Sequence, residues 1–75
     1  MGDRVTDLAL AVADLSRISQ VYRYALGSRA MVHSMSGRRE MAAFLAGGAQ
    51  VAGELATQYA ELALFLAAVK TGERA

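Results

Sequence analysis

Between Met41 and Val69 the large apolar residues recur as Met41, Phe44, Val51, Leu55, Leu62, Phe65 and Val69, alternating steps of three and four that keep one face of an α-helix in line. A second row, Ala42, Leu45, Ala49, Ala52, Ala56 and Ala63, lies beside the first at about 100° of rotation per residue. The polar arc narrows to Gln50, Glu54, Thr57 and Glu61. Such a helix buries more than one side. In the N-terminal half, Val5, Leu8, Val12, Leu15, Tyr22 and Leu26 repeat with heptad spacing, and Ser19 is the soft position in that row. Asp7, Asp14, Ser16, Arg17 and Gln20 mark the side expected to be wet, with Asp14 and Arg17 spaced for an exposed pair.

These rows predict an all-α fold, a two-helix antiparallel hairpin. Asp3 or Thr6 can cap the first helix. Gly27 is a possible stop, but Ser28 to Met35 contains no proline, so the helix is expected to continue, spanning about 4–34. The turn falls at about 34–37, with Ser36 or Gly37 as N-cap of a second helix over about 38–70 and Glu40 in its first turn. Two helices of matched length, roughly 45 Å each, favour pairing along their whole extent. A turn placed there sets Val5 beside Val69, Val12 beside Leu62, Ser19 beside Leu55 and Leu26 beside Gly48, so that the two rows of large residues face each other. Gly27 then meets Gly47 and Gly48, where the backbones can approach closely. The tail from Thr71 to Ala75 should fray.

Composition adds a need for partners. The chain has 75 residues, no cysteine to form a disulfide, and a hydrophobic fraction of 55%. That is more apolar surface than one small two-helix core can use. We therefore expect hairpins to oligomerise into a helical bundle or a repeating assembly, in a structural or interaction role. Phe44, Gly48, Val51, Ala52, Leu55, Leu62 and Phe65 are the expected homo-oligomer interface. The acids Asp3, Asp7 and Asp14 leave no basic start or unbroken apolar core for a cleavable signal peptide, and the default expectation is cytoplasmic. Glu54 and Glu61 interrupt the roughly 20 apolar residues a membrane span needs, which leaves a membrane-associated hairpin as an alternative.

Candidate chemistry is sparse. Arg17, Arg23, Arg29, Arg38 and Arg39 occur with no acid between Asp14 and Glu40. Arginine forks suit phosphates, so an alternative is an anion-binding module for nucleic acid or acidic lipid, using Arg29, Arg38 and Arg39 near the turn. Helical rotation, however, spreads Arg17, Arg23 and Arg29 around the rod. The net charge of +1 also argues against a strongly basic module. The single histidine, His33, cannot supply the Glu-x-x-His pairs of a di-iron bundle, and no nucleophile, base and orienter assemble. No enzyme activity, metal, cofactor or small-molecule substrate is expected. The run Gly47-Gly48-Ala49-Gln50-Val51-Ala52-Gly53 sits inside a helical pattern with no preceding strand, which excludes a phosphate loop.

Met35-Ser36-Gly37 at the turn, with Phe44 soon after and an alanine-rich second helix, resembles the small Trp-x-Gly helical hairpins of type VII secretion. That resemblance implies a small secreted hairpin. Met35 stands where that family has tryptophan, and Ala63, four residues after Tyr59, stands where it has an acid, so no membership follows.

Overall fold

The computed structural model describes residues 3–71, and side chains from 4 to 69; positions 72–75 of the expected frayed tail lie outside the described residues. Two helices, α1 (Asp3–Met35) and α2 (Arg39–Thr71), each of 33 residues, pack side by side as a hairpin. Helix α1 runs through Gly27 without a break.

The turn is set by Gly37, whose φ of 81° lies in the left-handed region open to glycine at no steric cost. Arg38 N donates to His33 O at 2.9 Å and Gly37 N to Ser34 O at 3.1 Å, the paired bonds of a Schellman ending, which satisfies carbonyls that the helix leaves open. Ser36 N donates to Val32 O, and its Oγ donates to the same carbonyl at 3.0 Å. Gly37 is therefore committed to closing α1. The residue at the start of α2 is Arg38, whose carbonyl accepts from Ala42 N, instead of Ser36 or Gly37.

The seam differs from the expected one. In α1 the residues turned toward α2 are Ala9, Val12, Ser16, Ser19, Leu26, Ala30 and His33; in α2 they are Ala42, Leu45, Ala49, Ala52, Ala56, Tyr59, Ala63 and Leu66. Both sets keep the three-four step, so both are helical seams. What faces inward on α2 is the alanine row, with Ala56 only 1% exposed, while Val51, Leu55 and Leu62 stay at 54, 40 and 44% exposure. On α1, Val12 and Ser19 are buried as expected, but Leu8, Leu15 and Tyr22 are exposed, and Ser16 has moved from the wet side into the contact.

The physical reason is steric. Small residues recur on a seven-residue repeat on both helices, Ala9, Ser16 and Ala30 on one, with Arg23 interrupting the row, and Ala42, Ala49, Ala56 and Ala63 on the other. Set against each other, small residues let the two helices approach closely. The Ser16 hydroxyl spans the gap, donating to Ala56 O at 2.7 Å. A side chain that short can reach the other helix's main chain only if the two backbones are close.

The pairing along the seam is fixed at two further levels. A Cβ at Gly48 would stand 3.4 Å from Leu26 Cδ1, ordinary contact. One at Gly53 would stand 3.1 Å from Arg23 Cδ, so the missing side chain there makes room for the arginine stem. Arg23 occupies a seam position by running its methylenes over Gly53 and carrying its guanidinium outward, 5.8 Å from the Tyr24 ring centroid.

Two substitutions separate close packing from helix propensity. Gly48→Ala meets only ordinary contact and is expected to stabilise the hairpin by up to about 1 kcal/mol. Ala56→Leu forces extra methylenes between touching backbones and is expected to cost about 1–3 kcal/mol. Urea unfolding at one fixed protein concentration reads both. Stabilisation by Ala56→Leu would contradict the close seam.

Candidate interaction face

With the alanine row spent on α1, the large row of α2 is left on the flank. At about 100° per residue, Phe44, Val51, Leu55, Leu62 and Phe65 fall to one side of the seam, and on α1 Leu8, Leu15 and Tyr22 fall to one side as well. In an antiparallel pair these are the same side of the hairpin. A shallow hollow on that side is lined by the seam residue Leu26 of α1 and by Phe44, Gly47, Gly48 and Val51 of α2. The result is one broad apolar face made by both helices, from which Phe44 projects at 76% exposure and Phe65 at 62%. Its floor at Gly47 is open, since nothing lies within 4 Å of a Cβ built there.

The opposite side also exposes large apolar residues, Leu10 at 60% and Leu64 at 73%. A groove there is lined by Ala9, Leu10, Ala13, Ser16, Ala60, Ala63 and Leu64, mostly small residues. Farther along, Gln50 and Thr57 bring polar groups beside Arg23 and Gly53.

Of the expected interface residues, Phe44, Val51, Leu55, Leu62 and Phe65 are brought together on the exposed face. Gly48 and Ala52 are not free to join them, because Gly48 lies against Leu26 and Ala52 is 7% exposed beneath α1. Leu8, Leu15 and Tyr22 belong to the face and were expected in the seam. The signal that distinguishes the two places was present in the small residues: Ala9, Ser16 and Ala30 match the alanines of α2 in spacing, and small rows mate with small rows.

The arginines do not converge. Arg17 pairs with Asp14 on the surface, and Arg23 is laid over Gly53. Arg38 and Arg39 line an open hollow at the turn with Glu40, Met41 and Phe44, while Arg29 is exposed on α1, nearly two helical turns before that helix ends. Two side-chain atoms, Gln20 Oε1 and His33 Nδ1, are buried without a hydrogen-bond partner among the described residues. No group of three or more His, Asp or Glu able to hold a metal ion occurs among the described residues. No helix is long and apolar enough to cross a membrane, again among the described residues. The chain matches no protein-family model, no curated protein and no solved structure.

Dispersed arginines bind phosphate polymers weakly, each adding little beyond its own screened attraction. Titration with single-stranded RNA or acidic vesicles at low and physiological salt is expected to give no saturable, salt-sensitive binding. Binding that weakens with salt, and whose salt slope flattens in Arg38→Ala/Arg39→Ala, would identify the turn as an anion site.

Proposed function

We propose that this chain is a non-enzymatic structural or interaction protein that self-associates through the apolar face shared by α1 and α2. The observation that carries the reading is the placement of Leu8, Leu15, Tyr22, Phe44, Val51, Leu55, Leu62 and Phe65 on one exposed side. Full burial of such side chains is worth about 1.5–3 kcal/mol each, and in the hairpin alone they remain 40–76% exposed.

Two whole-molecule quantities support it. The radius of gyration is 16.7 Å, against about 11 Å for a compact domain of this length. The accessible surface is 5731 Å², against roughly 4,400 Å² for a compact monomer of the same mass. Among the described residues the buried hydrophobic ones are Val12, Ala30, Ala52 and Ala56, and no large side chain is fully enclosed. A core of three alanines and a valine is too small to hold a domain alone, whereas a second layer on the apolar face would build a core of full-sized residues. Self-association accounts for the placement of eight large residues; anion binding accounts for none of them.

Thermal unfolding should therefore depend on concentration. The melting midpoint, followed by circular dichroism from 1 to 100 μM (about a hundredfold range), is expected to rise as association stabilises the folded state. Leu62→Asp is expected to abolish that rise and to sediment as a monomer, since a charge inside the second layer costs several kcal/mol. A wild-type monomer that unfolds cooperatively at a midpoint independent of concentration would refute the reading.

A further inference from the structure

We propose that the partner on this face is a second copy related by a two-fold axis perpendicular to the helices, so that α1 lies antiparallel on α1 and α2 on α2, with the turns at opposite ends. The inference rests on the self-association reading and adds the geometry of the pair. Two features on separate helices call for the same axis.

The first is a knob and a hole on the outer flank of the α2 face. Phe65 projects there, and Gly47, on the same flank by helical rotation, leaves open space where a side chain would stand. Gly47 and Phe65 lie nine residues either side of Ala56. A two-fold axis at Ala56 therefore seats Phe65 of each copy over Gly47 of the other, twice, and brings Val51 beside Leu62. A glycine that lowers helix propensity, and that α1 does not use, acquires a purpose.

The second is a charge pair on the outer flank of α1. Asp7 and Arg29 are exposed on that flank, and neither has an ion-pair partner among the described residues. They lie eleven residues either side of Ile18. A two-fold axis at Ile18 opposes Asp7 to Arg29 at both ends and sets Leu15 beside Tyr22.

Ile18 and Ala56 are at the same level of the hairpin. The contacts of Ser16 with Ala56, Leu26 with Gly48 and Arg23 with Gly53 bracket that level, so one axis serves both helices. It crosses the hairpin within a residue of both helix midpoints, Ser19 and Leu55, so the two copies overlap along almost their entire length. The principal extents of 54 by 19 Å give the face an area on the order of 1,000 Å², against about 800 Å² per partner in a standard stable interface. The alternative two-fold axis, parallel to the helices with the turns together, would oppose Arg29 to the Phe44 region and Asp7 to Ala67, leaving both charges without counterparts and Gly47 without a knob.

The chain has no cysteine, so Ser36→Cys places a single spin label at each turn. Distances measured by double electron–electron resonance are expected to exceed about 40 Å, as two turns at opposite ends of a bundle of paired 33-residue helices require. Gly47→Leu is expected to raise the dimer dissociation constant at least tenfold without loss of helix content, because a leucine there has room within the hairpin but fills the hole. Asp7→Arg is expected to weaken the dimer severalfold, and Asp7→Arg with Arg29→Asp to restore it.

A dimer with short label distances, or one that Gly47→Leu leaves intact or tightens, would overturn the two-fold arrangement while leaving self-association standing. A wild-type chain that stays monomeric at high concentration would overturn both, whether or not it binds phosphatidylglycerol vesicles.

Discussion

The structure depends on one close approach, small residue against small residue along the seam between α1 and α2. A serine hydroxyl bridging to a main-chain oxygen at 2.7 Å marks how near the two backbones lie. Once the alanines hold that line, the large residues that remain in the seam, Leu26, Leu45, Tyr59 and Leu66, are only half-buried, and Leu8, Leu15, Leu55 and Leu62 are displaced to the flanks. On one side the two displaced rows merge. The hairpin thus trades a core for a face, and the same row of alanines that makes it thin makes its surface apolar.

Much of the architecture was legible from periodicity. Two long helices, a glycine at the turn and the contact of Leu26 with Gly48 all follow from spacing and chain geometry. The inward face of each helix was not. Hydrophobic patterning weights Phe44, Leu55 and Leu62 above Ala49 and Ala56, yet seam packing is decided by shape, and shape favoured the alanines. On α1 the error was partial, since Val12, Ser19 and Leu26 belong to the seam and their expected companions Leu8 and Leu15 do not. Ser16 carries the polarity of a solvent-facing residue, and only its small size marks it for the seam. The candidate face was legible on α2 and hidden on α1 for the same reason.

Polar residues within the seam follow the same logic. Ser16 hydrogen-bonds across it, Ser19 is small enough to be covered, and Arg23 fits because Gly53 opposite has no side chain. Arg23 and Gly53 also break a degeneracy. Alanines repeating every seven residues would mate nearly as well after sliding by one heptad, but such a slide would set the arginine stem against a methyl-bearing residue.

The Schellman turn at Gly37 has a consequence for how the chain reaches this structure. Contacts beside the turn join residues close in sequence, and each step outward adds one small pair of modest energy, so loop closure is never demanded in one long leap. The hairpin can zip from its turn toward its open end without a distant nucleus.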